Sequence, residues 1–300
     1  MKKRLFNIFL AIFTGLISIS YTTTQNALSG ENKVHGEYFE RVSPPELPNT
    51  ASFCGEPVPL HDIEVLERLD NELISLTYWH STMIKIFKRA GRWFPVIEQV
   101  LRENGMPDDL KYLVVVESML TNAVSPAKAE GFWQFLKTTG QEFGLEVNDE
   151  VDERYDVYKA GVAATKYLKS AHKRFGSWSL AAAGYNAGVG GISNRMTDQN
   201  ISNYYDLFLV EETARYVLRI VATKLIMENP EKYGFFMPEE SLYKPYETRE
   251  VFVNGAIPSL TKFALDNGTT LKMLKTLNPW LKGSKLTNAK KKEYKILLPK

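Results

Sequence analysis

Cysteine is nearly absent. Among 300 residues there is one, Cys54, so no internal disulfide framework can form. Histidine is almost as scarce, at four residues, and no two stand in an H-x-x-H or H-E-x-x-H spacing, which removes the common helical zinc sites. A dominant sign of charge is also missing: 37 Lys and Arg against 35 Asp and Glu leave +2, without the basic excess expected of a nucleic-acid binder. The one long apolar run, Leu5 to Ile19, has 15 residues and is interrupted by Asn7, Thr14, Gly15 and Ser18. A bilayer span needs about 20. What remains is a chain with 44% hydrophobic and 24% charged residues, a mix that buries a sizeable core as one large domain or two.

The near-neutral balance hides an asymmetry. From Pro245 onward ten Lys and one Arg face four acids, a net of +7, which leaves −5 for everything before it. Such a basic tail is suited to an anionic surface or polymer, a lipid, a nucleic acid or a bacterial wall, or is simply a solvated face. At the other end, Met1-Lys2-Lys3-Arg4 precedes the apolar run, and Ser18-Ile19-Ser20 supplies small residues after it. This is the layout of a signal peptide over residues 1–20, which implies export. If it is retained, it would hold the chain at a membrane as a signal anchor. No cysteine follows the run, so lipidation at that point is excluded. Residues 21–60, rich in Thr, Ser, Asn and Pro without an apolar period, read as a flexible leader in which Cys54 has no role.

From His61 onward Ile63, Leu66, Leu69, Leu73, Leu76, Trp79, Met83, Ile86 and Phe87 recur every three or four residues and predict one amphipathic helix. A second is expected from Pro95 to Gly105 and a third from Pro107-Asp108-Asp109, with further helices over 159–173, 179–185 and 211–227. No strand alternation precedes residue 245. The fold class is therefore mostly α, with a helical domain over 61–228 and a proline-punctuated linker over 229–245. Residues 246–300 form a different unit, a small β-α-α-β module with strands at 248–253 and 294–298 and helices at 258–266 and 270–277.

Leu113-Val114-Val115-Val116-Glu117-Ser118 ends an apolar run in a single carboxylate. Burial without a cation raises a carboxyl pKa, and a protonated Glu near neutral pH can give its proton to a leaving oxygen, as cleavage of a glycosidic bond requires. Taken alone, a Glu at a helix end is more often a surface residue. Gly131-Phe132-Trp133-Gln134-Phe135 then places an amide among aromatics, groups that grip sugar rings or simply fill a core. Ala181-Ala182-Ala183-Gly184-Tyr185-Asn186-Ala187-Gly188 joins a closely packable helix to a polar turn.

The ordered set Glu117-Ser118, Ser125, Gly131-Phe132-Trp133-Gln134-Phe135, Tyr185-Asn186-Ala187-Gly188 and Glu212-Thr213 with Tyr216-Val217 resembles the soluble lytic transglycosylase family, whose fold is lysozyme-like. The resemblance covers about residues 90–225. Lys128, Glu130, Phe132 and Lys137 depart from its usual residues. The C-terminal module is similar to a LysM repeat through Val251-Phe252-Val253-Asn254-Gly255, Asn278-Pro279 and Ile296-Leu297-Leu298-Pro299, with Ala256 where an acid is usual. This resemblance implies an exported, periplasmic enzyme acting on peptidoglycan glycan strands. No nucleic acid, cofactor or metal is implied. Glu117 would be the acid and then the base in forming 1,6-anhydro ends. Ser125 and Gln134 would hold substrate, Tyr185 would position Glu117 or the sugar, Asn186 would fix the site loop, and Glu212 and Tyr216 would bind or orient substrate. Asp152, Arg154 and Asp156 would be a structural cap and ion-pair set. Two other functions stay open: a hydrolysing muramidase using Glu130, Asp152 or Glu212 as second carboxylate, and a non-catalytic wall-binding scaffold.

Overall fold

The structure, a computed structural model, describes residues 43–300. The expected signal peptide and the leader up to residue 42 lie outside the described residues. Among those described, no helix is long and apolar enough to cross a membrane.

The chain is mostly helical, and its first described element is a hairpin, β1 (Ser52–Phe53) against β2 (Glu56–Pro57). Cys54 and Gly55 turn it, both with positive φ (52° and 83°), which is how two-residue hairpins match strand twist. The expected flexible leader therefore ends before this point. Phe53 is fully buried in the main core, and that apolar anchor is invisible to a periodicity argument because only one residue carries it.

The expected helix over 61–87 is two helices, α1 (Ile63–Thr77) and α2 (His80–Glu103). Their break at Tyr78 and Trp79 is too short to disturb the apolar phase, so the pattern runs through it. α2 does not start at Pro95. The proline lies inside it, unable to donate to the Gly91 carbonyl. A strap of chain crosses α2 at this level. The Tyr243 amide donates to the Lys88 carbonyl (2.9 Å), and a Cβ on Gly91 would stand 2.8 Å from Leu242 Cβ. The expected linker over 229–245 is a packed segment, with Tyr233 and Phe235 in the main core.

α3 (Leu110–Ser118) is short and rich in valine, a poor helix on propensity alone. It is held between α2 and α8 (Glu211–Glu228), with Leu110, Leu113 and Val114 fully buried. α4 (Lys137–Glu142) and α7 (Val189–Gln199) have little apolar content to announce them and are not among the expected helices. α5 (Val157–Phe175) starts on Asp156, which caps the Lys159 amide, and stops at Gly176 with φ 71°. α6 (Trp178–Ala187) packs its buried run Ala181–Ala183 and Gly184 against α5, α7 and α8.

The C-terminal module has β3 (Thr248–Val253) antiparallel to β4 (Tyr294–Pro299), joined through α9 (Leu260–Asp266) and α10 (Leu271–Leu277). It has its own small core around Leu260, Leu274, Trp280 and Ile296. Two residues of the helical domain, Val151 and Tyr155, belong to that core. Asn278 is fully buried and stitches the module, donating to the Leu274 and Leu297 carbonyls (2.9 and 2.6 Å) and accepting from the Leu297 amide (2.8 Å).

Candidate active site

Glu117 sits one residue before the end of α3, and the chain leaves the helix abruptly. Met119 and Leu120 are both left-handed (φ 52° and 56°), a conformation that costs energy in non-glycine residues and collects at functional sites. Arg89 of α2 secures this exit by donating to the Met119 carbonyl (3.1 Å). The apolar run ahead of Glu117 keeps α3 inside the protein, so the carboxyl at its end is largely withdrawn from water. Burial, opposed by a hydrogen bond from Tyr216 and assisted by the nearby charge of Glu212, pushes its pKa up to about 7. Tyr216 of α8 donates that bond directly to Glu117 Oε1.

Tyr185, expected to position Glu117 or the sugar, does not bond Glu117 through its hydroxyl. It donates to the Trp133 carbonyl (2.6 Å), tying α6 to the 125–135 loop. It remains in the electrostatic field of Glu117: its own pKa is held well above the usual value by burial and then by that carboxylate. Asn186 joins the end of α6 to the start of α8. It accepts from the Thr213 hydroxyl (2.8 Å) and donates to Glu212 Oε1 (3.3 Å). Glu212 is thereby held at the rim, exposed, where its charge reaches Glu117.

The loop between α3 and α4 is folded by short antiparallel bridges, Val124 with Glu130 and Glu130 with Phe135, rather than being free of strand pairing. Ser125 Oγ accepts from the Ala129 amide (3.0 Å), and the Gln134 amide donates to the carbonyls of Ala123 (3.0 Å) and Gly131 (2.7 Å). These atoms hold the loop itself. Gly131 is required by contact: its φ is 82°, and a Cβ there would lie 2.0 Å from the Arg154 carbonyl oxygen. Trp133 is fully buried and donates to the Val157 carbonyl (3.2 Å), and Phe132 and Phe135 are core as well. None of the three aromatics faces solvent.

Arg154 is the hub behind that loop. It makes a two-point pair with Asp152 (2.9 and 2.7 Å), meets Glu130 at 3.1 Å, and donates to the Phe135 and Lys128 carbonyls (3.3 and 3.4 Å). Asp152 and Asp156 also cap the backbone, as expected of a structural set. Glu130 and Asp152 are thus committed to a guanidinium, and Glu212 is the carboxylate whose charge acts on Glu117. His172 stacks on Trp178 at 4.0 Å and His80 lies edge-on to Phe235, both as packing groups. Among the described residues no cluster of His, Cys, Asp and Glu is arranged to hold a metal ion.

Sequence reasoning missed the group that fixes α6. Glu56, on β2, accepts from the Trp178 and Ser179 amides (2.5 and 3.0 Å) and from the Ser177 and Ser179 hydroxyls (3.0 and 2.9 Å). A carboxylate supplied from 121 to 123 residues away caps the helix that carries Tyr185 and Asn186. The same hairpin reaches α3 and α8: the Cys54 amide donates to Asp109 Oδ2 (2.7 Å), and Lys224 donates to the same oxygen (2.8 Å). No local signal in the sequence marks so distant a cap.

Comparison with known proteins agrees with this arrangement. The transglycosylase SLT domain family matches residues 94–208, and the soluble lytic transglycosylase C-terminal LysM-like domain matches residues 249–300. The membrane-bound lytic murein transglycosylases D of Escherichia coli strain K12 and of Escherichia coli O6:H1 are each 28% identical over 249 residues, which is 81% of this chain and 53% of the relative. The chain spans about half the length of these curated relatives. Glu117, Ser125, Gln134, Tyr185 and Asn186 all lie inside the first match, so the helical core is similar to a transglycosylase SLT domain over residues 94–208, and the C-terminal module to a LysM-like domain over residues 249–300.

Proposed function

We propose that the chain is a lytic transglycosylase that cleaves the bond between N-acetylmuramic acid and N-acetylglucosamine in peptidoglycan and leaves 1,6-anhydromuramoyl ends. The observation that carries this reading is the Glu117 carboxyl, which no cation pairs and whose pKa is pushed up to about 7 by its apolar surroundings against the hydrogen bond from Tyr216. Near neutral pH such a group is present in both forms, so it can serve as acid and then as base. Glu117 first gives its proton to the glycosidic oxygen as the bond to C1 breaks. Its carboxylate then takes the proton of the C6 hydroxyl on the same muramoyl sugar while that oxygen bonds to C1. No water is consumed and Glu117 returns to its starting form. The 2-acetamido group of the sugar offsets the charge developing at C1, a task that a second carboxylate performs in many glycosidases.

The pairing of Glu130 and Asp152 with Arg154 supports this over hydrolysis, because neither is available to activate a water. Ser125 and Gln134 shape the substrate wall through the loop they staple. Tyr216 and Glu212 tune Glu117, and Tyr185 and Asn186 lock α6 to the loop and to α8. The relatives carry "membrane-bound" in their names, which supports residence in the cell envelope. Export through residues 1–20 and a periplasmic location are part of this proposal.

The test is digestion of purified peptidoglycan followed by mass spectrometry of the released muropeptides. Anhydro ends, lighter by one water than reducing ends, are expected. Reducing ends would convert the reading to a muramidase, with Glu212 as the group to examine. Binding without products would leave a scaffold.

A further inference from the structure

The C-terminal module is docked on the helical domain along residues 146–155, and the contact is continuous. Val151 pairs with Leu281 as an antiparallel bridge, the Asp152 amide donates to the Trp280 carbonyl (2.8 Å), and the Lys282 amide donates to the Glu150 carbonyl (2.9 Å). Glu150 accepts from the amide and hydroxyl of Thr287 (2.6 and 2.7 Å). Lys292 reaches two carboxylates, Glu146 (2.8 Å) and Glu153 (3.0 Å), and the Tyr294 hydroxyl also donates to Glu146 (2.9 Å). Beneath these polar contacts Val151 and Tyr155 complete the module's own apolar core.

The far side of the same segment is the loop support described above. Between the Asp152 amide, held by the module, and Arg154, which grips Glu130 and the Lys128 and Phe135 carbonyls, there is one intervening residue. Glu153 is that residue. It is almost fully buried, binds Lys292 of the module and Lys159 of α5 (2.7 Å), and accepts from the Glu146 amide (2.9 Å). Gly131 of the loop rests on the Arg154 carbonyl. A displacement of 150–155 has no slack in which to die out before it reaches residues 128–135.

We infer that the LysM-like module is a fixed buttress of the substrate loop, acting through Lys292 and residues 150–154, so that its docking sets the turnover of the active site and not only the hold on the polymer. Lys292 is a positioning residue in this scheme. The inference rests on the lytic reading for its kinetic arm only.

The test uses the full chain with Lys292→Glu, which sets a third carboxylate against Glu146 and Glu153, and with Lys292→Arg, which keeps the cation. Turnover is measured on short soluble glycan fragments and on intact peptidoglycan, and amide hydrogen exchange is followed over residues 125–135. Lys292→Glu is expected to lower kcat about three- to tenfold on both substrates, the scale on which small misplacements act, and to speed exchange over 125–135. Lys292→Arg is expected to restore both. Unchanged exchange in that loop would overturn the inference, as would a change confined to KM on intact peptidoglycan. Were the wild-type chain to release no products, the lytic reading would fall and the exchange measurement alone would still decide whether the module buttresses the loop.

Discussion

Glu117 at the end of α3 and the glutamates at 146, 150 and 153 that face the C-terminal module are the same residue type in opposite surroundings. Apolar packing around Glu117 wins over its one hydrogen bond, and its pKa rises to about 7. Glu153 is also buried, but Lys159, the Glu146 amide and Lys292 more than offset that burial and hold its pKa below the usual value. Burial likewise works against Glu146, and Lys292 and Tyr294 outweigh it. Glu150 is lowered chiefly by the Thr287 amide and then by its hydroxyl. The cations and donors supplied at each site decide whether a glutamate's pKa is raised, as at Glu117, or lowered, as at the seam.

The signs of linkage are opposite. In the folded protein Glu117 holds its proton between pH 4.5 and about 7 while the unfolded chain has lost it, so this group makes stability fall as pH rises through that window. The seam carboxylates bind fewer protons folded than unfolded. Their contribution is present above the ordinary carboxylate pKa and is lost as pH falls through their lowered values.

The largest expected effect breaks the comparison at its reactive side. Glu117→Gln removes the proton donor and lowers turnover by about 10³-fold or more, the upper range for a general acid. The same change removes a carboxyl that folding must desolvate. Its melting temperature relative to the parent is therefore higher at pH 8 than at pH 5, by an amount corresponding to about 1–3 kcal/mol. Tyr216→Phe sharpens the assignment. With the bond that lowers the Glu117 pKa gone, the basic limb of the pH–rate profile moves to higher pH.

Gly131→Ala comes next, because its Cβ would stand against the Arg154 carbonyl at a backbone angle that alanine rarely adopts. The cost is about 3 kcal/mol or more by denaturant titration, with turnover falling as the loop shifts. Glu56→Ala is smaller. It uncaps α6, and losing that cap is expected to cost about 1–2 kcal/mol, with exchange quickening first in the Trp178–Leu180 turn.

These two sites also mark how far the sequence could be read. Helix α8 and the strands β3 and β4 stand within a residue of where periodicity puts them, since each is bounded by its own apolar phase and turn residues. Glu117 stands out as a carboxylate after four apolar residues, but that run alone favours a surface residue, and its proposed role came from the ordered motifs that follow it. Its partner Tyr216 was named as a substrate-binding residue, and the geometry gives it a hydrogen bond to Glu117 itself. On helical spacing Tyr185 and Tyr216 are equivalent. The Glu56 cap and the strap over Gly91 were not legible, because each depends on residues more than a hundred positions apart and leaves no period behind. Pro95 misled for the same reason: a proline inside a helix is tolerated only where the surroundings supply the lost support, and those surroundings are distant in the chain.

The smallest expected effect tests the seam. Glu146→Gln keeps the size of the side chain and an acceptor for the Tyr294 hydroxyl but removes the charge facing Lys292. Glu146 and Lys292 are both partly solvated, so screening limits the pair, and the expected loss at pH 7 is about 0.5–1 kcal/mol. The discriminating observation is its pH dependence. In the parent the pair contributes above the ordinary carboxylate range and fades as Glu146 protonates, so parent and variant should converge in melting temperature as pH falls toward 3. A gap of constant size would mean that Glu146 acts by shape, and the charge-based distinction between seam and site would then rest on Glu150 and Glu153.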